Sequence, residues 1–320
     1  MTKPRIFIPE LDGLRFIAFL LIFIHHSSVH YTFLLRQVKT TGWLGVEIFF
    51  CLSAFLLTRL LRYEIQQMGS IDVFKFFARR ILRIWPLYLT YVTLAIFFSF
   101  YNHLTANENW YRALGLLTFT DDIFAALEGF NPILFTGHLW TISYEEQFYL
   151  LLPFLIPWLV RLNFKNRIYF VIITFVVGSL VRGLTIYFDF DDPFIWTFPI
   201  THFESILVGI VIGFYEQEFL KINKKIILTI LLLSITSILF LPETNVIAYH
   251  LLIVYPIAGI FSGSVLCYVL HADTVFVRKV LSNKVIAFAG KISFGLYVFH
   301  IFCMRLVDYV MGISNPVLNL

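Results

Sequence analysis

Residues 11–26 read LDGLRFIAFLLIFIHH. The run is apolar enough for a bilayer, yet it holds an arginine at its entrance, near the cytoplasmic surface, and two histidines well inside it, His26 near the middle of the bilayer. Ionisable groups are costly in hydrocarbon and are kept there for a function by default. The run lacks an A-x-A-like cleavage site and carries Arg15, His25 and His26, so it reads as a retained span rather than a leader. On a helix, eleven residues turn about 20° beyond three full turns, so Arg15 and His26 share a face about 16 Å apart along the axis. His25 points about 100° away. The structural alternative is an arginine that snorkels to lipid phosphates and a histidine that bonds a neighbouring helix.

Working outward, the whole chain has the same character. Of its 320 residues, 59% are hydrophobic and 14% charged, against about 25% charged in a soluble domain. That apolar surface has no route away from water except a bilayer. The 37 phenylalanines, 16 tyrosines and 6 tryptophans suit lipid-facing and interfacial positions. Apolar segments lie near 14–33, 43–61, 84–101, 143–160, 168–188, 195–215, 226–241, 247–270 and 286–310. Each is about long enough to cross ~30 Å of hydrocarbon as a helix, the form that satisfies its backbone within the segment. Segment 110–120 is too short to cross.

The sequence therefore predicts an all-α, polytopic transmembrane helix bundle of nine to ten spans, forming one integral membrane domain over residues 1–320. Basic residues choose its orientation. With the N-terminus cytoplasmic, the inner segments hold Lys3, Arg5, Arg62, Lys75, Arg79, Arg80, Arg83, Arg161, Lys165, Arg167, Lys221, Lys224, Lys225, Arg278, Lys279 and Lys284. The outer ones hold only Arg36, Lys39 and Arg112, together with Asp121, Asp122, Glu128, Asp189, Asp191, Asp192 and Glu243. Counting 110–120 as a span would invert every later loop and destroy this bias. Nine spans follow, with 102–142 an outer excursion and the C-terminus outside. Cys51, Cys267 and Cys303 are dispersed in apolar segments, so no disulfide framework or Cys-ligated metal is expected, and each reads as a small buried hydrophobe.

Four further stretches carry polar chemistry. In GHLWTISYEEQFYLLLP (137–153), His138, Thr141, Glu145 and Tyr149 make one stripe if the helix reaches back to His138, and Glu146 falls about 100° from Glu145. A carboxylate and an imidazole on a common stripe suit proton transfer; an acid pair with its tips in interfacial water is the alternative. In GKISFGLYVFH (290–300), Ser293, Tyr297 and His300 recur at helical spacing, as groups for chemistry or as interhelical hydrogen bonds. GVEIFFCLSAFLL (45–57) begins a span with Glu47. FFARRILRIWPLY (76–88) carries Arg79, Arg80 and Arg83, either an anchor to anionic lipid or a cradle that grips phosphates by paired hydrogen bonds. His25, His26 and His30 do not supply the converging set that zinc needs. Walker, GxGxxG and GxSxG motifs are missing, and a folded basic domain for nucleic acid is not evident.

These five stretches, in this order and spread over nearly the whole chain, resemble the membrane-bound acyltransferase-3 family. The resemblance implies transfer of an acyl group, most often acetyl, from cytoplasmic coenzyme A to hydroxyls of extracytoplasmic glycans, glycolipids or other small acceptors. It also implies a multi-pass protein of the bacterial inner membrane. Arg15 and His26 match the family's essential R-x₁₀-H pair. Glu145 matches the acid of W-S-x-x-x-E-x-Q-F-Y, Arg80 and Arg83 the basic cytoplasmic motif, and His300 the closing histidine. Ala54, Glu47, Phe294 and His202 stand where Gly, Asp, Tyr and Arg are frequent, which blurs acceptor specificity. Members commonly carry another apolar helix after the closing histidine, whereas this sequence ends at Leu320, as a short or truncated member would.

The expected catalytic residues are thus His26, Arg15 and Glu145. Arg15, Arg79, Arg80 and Arg83 are expected to hold the acyl-CoA phosphates, and Glu47, His138, Trp140, Ser293, Tyr297 and His300 to meet substrate. The thin pantetheine arm could run along the first span to His26, acting as general base or carrying the acyl group itself. The partners expected are acyl-CoA, a glycan or glycolipid acceptor and membrane lipid, with no metal and no nucleic acid. The rival reading is a transporter or flippase of glycan or lipid intermediates, which broken helices and an inverted repeat would favour.

Overall fold

The computed structural model describes residues 8–27, 33–101, 109–190, 192–242, 244, 248–271 and 275–312. Lys3, Arg5, His30, Asp191 and Glu243 lie outside the described residues. Among them the chain is all-helical, with no strand. The helices are α1 (Pro9–His26), α2 (Phe33–Thr41), α3 (Leu44–Met68), α4 (Val73–Tyr101), α5 (Trp110–Leu117), α6 (Asp121–Glu128), α7 (Trp140–Arg161), α8 (Phe164–Tyr187), α9 (Phe194–Thr197), α10 (Glu204–Phe214), α11 (Glu216–Phe219), α12 (Lys224–Phe240), α13 (Leu251–Leu270), α14 (Val275–Leu281), α15 (Lys284–Lys291) and α16 (Ser293–Val310).

Five of these, α3, α4, α8, α13 and α16, are long and apolar enough to cross a membrane. The outward residues of α8 include Ile172, Ile173, Val176, Val177, Leu180 and Leu184, all exposed. So continuous an apolar surface is stable in lipid and not in water. The protein is an integral, multi-pass membrane protein.

Local chemistry sets the helix ends. Asn163, Asn223 and Asn283 each accept a backbone N–H of the first turn, starting α8, α12 and α15. The Asp72 carboxylate accepts the Lys75 N–H at 2.9 Å and starts α4, eleven residues before the apolar segment expected at 84. The basic cluster Arg79–Arg83 therefore lies within a continuous helix rather than ahead of it.

Other expected segments are corrected. The first helix starts at Pro9 and stops at His26, because extended Ser27 caps it by turning its hydroxyl onto the Ile24 carbonyl at 2.8 Å. Segment 195–215 is not one helix: Pro199 and the turn at Thr201 separate α9 from α10, and the eleven residues of α10 rise only about 16 Å. Segment 286–310 breaks at Ile292 between α15 and α16. Segment 110–120 forms the short α5, as its length requires. Cys51 and Cys267 are buried, but Cys303 is exposed, since α16 is poorly covered beyond His300, where Phe302, Leu306 and Val307 are exposed too.

The chain divides into two compact units. Unit 1 comprises Met1–Leu57, Glu204–Leu241 and Ile253–Tyr297. Here α1 packs on α15, α2 and α14. Glycines allow this approach: a Cβ at Gly290 would lie 1.7 Å from the Asp12 carbonyl oxygen, and one at Gly13 would lie 2.3 Å from that of Leu281. Both obstacles are backbone and cannot swing aside. Gly290→Ala is therefore expected to cost at least about 1–3 kcal/mol, read as a lower melting temperature in detergent. Gly183→Ala is the control, since its nearest neighbour would be Leu252 Cδ2 at 3.9 Å.

Unit 2 comprises Thr58–Phe203, Pro242–Leu252 and Val298–Leu320. Around α7 it gathers α4, α6 and α9, with α5 between α4 and α6. Arg182 on α8 is fully buried; its Nε donates to the Thr201 carbonyl at 2.7 Å and a terminal nitrogen to that of Leu251 at 3.3 Å. The guanidinium thus satisfies the backbone where α9 and α10 are broken, a role that a charge inside an apolar run could have signalled.

Candidate active site

In unit 1, α1 carries Arg15 and His26 on one unbroken helix. Its first turns are polar and buried: Glu10, Asp12 and Gly13 sit against α14 and α15. Arg15 is half-buried and donates to the Asp12 carboxylate at 3.1 Å, and Glu10 faces Arg278 at 3.6 Å. The sequence had not paired Arg15 with an acid of its own helix, although the i, i+3 spacing allows it.

His26 is the last residue of α1 and is exposed; His25 is half-buried, with its Nδ1–H donating to the Lys39 carbonyl at 2.8 Å. The two rings meet edge-on at 5.2 Å. Helical arithmetic had separated the histidines, and their environments separate them further: His25 ties α1 to α2 while His26 presents its ring.

Glu47, in the first turn of α3, is buried and accepts the hydroxyl of Ser205 on α10. Ser262 on α13 lies 3.1 Å from Ser205. A carboxylate buried in a span needs such partners, and these bonds tie α3, α10 and α13 together through Glu47. Ser293 and Tyr297, also in unit 1, are buried on α16.

Unit 2 holds the other expected residues. His138 does not belong to α7, which starts at Trp140, so the stripe from His138 to Tyr149 is not one helical face. Instead His138 meets His300 of α16, 4.7 Å between ring centroids, with both buried, and its Nε2–H donates to the Val298 carbonyl at 3.3 Å. Two histidines 162 positions apart in sequence thus form one pair, which no local pattern could show. Trp140 is buried, edge-on to Trp196.

On α7 the acids divide. Glu146 is 8% exposed and accepts the indole N–H of Trp85 at 3.0 Å, while Glu145 is half-buried. Arg80 lies over the Tyr149 ring, 5.7 Å from its centroid, and its charge is felt by both glutamates. Arg79 and Arg83 are exposed. The basic stretch of α4 and the acidic stretch of α7, read separately in the sequence, therefore meet through Arg80 and Trp85.

The profile of one family, described as an acyltransferase domain, matches residues 8–320. The chain belongs to the acyltransferase-3 family. Among its relatives are O-acetyltransferase OatA of Staphylococcus aureus (strain NCTC 8325 / PS 47), 29% identical over 335 residues covering 98% of this chain, and a Staphylococcus aureus (strain COL) protein provisionally named an O-acetyltransferase, 29% identical over 344 residues covering 97% of it. This acyltransferase-3 chain spans about half the length of these relatives, 53% of each. No solved structure matches it.

Proposed function

We propose that this acyltransferase-3 chain is a membrane O-acyltransferase that moves an acyl group, acetyl by preference, from cytoplasmic acyl-CoA to a hydroxyl of an extracytoplasmic glycan, glycolipid or related acceptor in the bacterial inner membrane. The observation that carries the reading is α1, one helix holding Arg15 and His26 eleven residues apart in a chain of this family. The orientation follows from the charge bias, with the N-terminus cytoplasmic.

The donor phosphates stay at the cytoplasmic face, because hydrocarbon excludes them. Exposed Arg79 and Arg83 offer those phosphates cations on α4. Arg15 exchanges its Asp12 partner for a phosphate, or holds the two together. The thioester arm then runs the ~16 Å towards His26, whose imidazole takes the acceptor's proton as the hydroxyl attacks the thioester carbonyl; coenzyme A leaves as the thiolate and is reprotonated. Attack by His26 itself, followed by transfer from the acyl-imidazole, is the covalent variant. Glu145 orients the acceptor or an imidazole.

The names of the relatives support O-acetyl transfer. The second reading, a transporter of glycan or lipid intermediates, draws on the broken segments at 198–203 and 292, since discontinuous helices line many transport sites. Purified protein given radiolabelled acetyl-CoA separates the two. Free thiol together with transferred or hydrolysed label supports the enzyme. An untouched thioester, with flux of a glycolipid into vesicles, supports transport.

A further inference from the structure

The polar groups on the excursion side of unit 2 serve no step above, and they are built into one assembly. Gln147 of α7 donates from Nε2 to Asp122 Oδ1 at 2.7 Å and to the Phe119 carbonyl at 3.0 Å. Phe119 reaches that position with φ 55°, left-handed backbone that a bulky residue rarely adopts. Stacking on Tyr88 at 4.7 Å and packing on Trp85 at 5.2 Å hold it there. The α5–α6 turn is thus fixed in an unfavourable conformation whose visible product is a grip on Gln147.

Two more bonds pin the same turn of α7. The Tyr144 hydroxyl donates to the His202 carbonyl at 2.7 Å, and Glu146 takes the Trp85 N–H. Residues 144, 146 and 147 are thereby tethered, and Glu145 lies on the opposite side of the helix from Gln147, about 200° away. We propose that Asp122 is a positioning residue: through Gln147 it fixes the rotation with which α7 presents Glu145.

Asp122 and its neighbour Asp121 are both fully buried, and each has an Oδ2 with no hydrogen-bond partner. Asn131 donates to Asp121, and Arg112 of α5 lies 3.8 Å from it and 3.7 Å from Glu128. Tyr88 of α4 feels both aspartates and Glu146 of α7, and Tyr111 of α5 donates to Glu128 at 2.6 Å; α9 contributes Phe, Ile, Trp and Thr alone. Arg112 therefore faces Asp121 and Glu128 but not Asp122, and burial pushes both aspartates up, Asp121 to about 6 and Asp122 to about 7.

The sign follows. Both groups hold their proton more tightly folded than unfolded, so the folded excursion is most stable below the unfolded value, near 4, and loses stability as pH rises through about 6 and about 7, because burial opposes ionisation even though the Gln147 bond itself favours the charged Asp122. The α5–α6 excursion is a proton-sensitive brace for α7, firm in acid and looser in alkali.

Hydrogen exchange on the full chain in nanodiscs tests this, and the role in catalysis rests on the enzyme reading. After correction for the chemical rate, amides of α5, α6 and the first two turns of α7 are expected to open at least about tenfold more at pH 8 than at pH 5, since one unit of pKa is a factor of ten. Asp121→Asn/Asp122→Asn should abolish that dependence. At pH 5, Asp122→Leu should raise exchange in the first turns of α7, with Asp122→Asn retaining the grip. Gln147→Leu, cutting the same bond from a half-buried position, should reproduce the effect where Asp122→Leu fails to fold. Equal exchange at both pH values in the wild type, or an unaltered α7 in both leucine variants, would overturn the proposal. Thiol release from acetyl-CoA supplies the second readout: Gln147→Leu should lower kcat severalfold with the donor KM unchanged. A wild type that releases no thiol refutes the enzyme reading, while the exchange data still decide whether Asp122 braces α7.

Discussion

His26→Ala is expected to lower acyl transfer by between about a hundredfold and ten-thousandfold, the range that a general base supplies, while the protein remains folded. The fold should survive because His26 is exposed at the last position of α1. The packing of that helix rests on Leu11, Leu14, Ala18, Phe19 and Ile22, all buried. His25→Ala should show the opposite balance. Its imidazole ties α1 to the Lys39 carbonyl, so its loss should lower the melting temperature by more than it lowers turnover. Initial rates of label transfer and melting curves of the two variants check both halves. A fully active His26→Ala would remove the base from the mechanism.

The second large effect is expected at Arg80. Arg80→Gln should raise the donor KM by about tenfold or more, the scale of a lost charge-assisted hydrogen bond, with a smaller change in acceptor KM. Charge reversal, Arg80→Glu, should do more damage, because it sets a third acid beside Glu145 and Glu146 and removes the cation over Tyr149. Arg83→Gln should cost less, since that side chain is exposed and water replaces what the donor loses. Titration of donor and acceptor in separate series checks this. An unchanged donor KM in Arg80→Gln, with kcat alone reduced, would make Arg80 a support for α7 rather than a phosphate ligand.

The all-helical membrane character was legible in composition, because apolar runs of this length have one stable solvent. Helix ends were less so. The first segment is expected to run to 33, yet the helix stops at His26, where Ser27 turns its hydroxyl onto the Ile24 carbonyl. Hydropathy also ran straight through Pro199, although a proline there was a visible warning that 195–215 would break. On α7, sequence identified two acids but could not choose between their environments. A rotation of about 100° decides which meets Trp85, and Trp85 lies 61 residues away. The His138–His300 pair and the grip of Asp122 on Gln147 are likewise tertiary. Each residue looked like an isolated polar group until the chain brought its partner to it. Arg182 was the opposite case, a buried charge inside an apolar run that deserved notice from sequence alone.

The central claim is directional: an acyl group enters at the Arg15 end of α1 and leaves at the His26 end. Sealed vesicles of known sidedness, given membrane-impermeant acetyl-CoA labelled in the acetyl group, test it most directly. With the cytoplasmic face outward, the wild type should release thiol and retain label in the washed vesicles, and His26→Ala should do neither. Equal labelling from the opposite face, or equal labelling by the two proteins, would contradict the account.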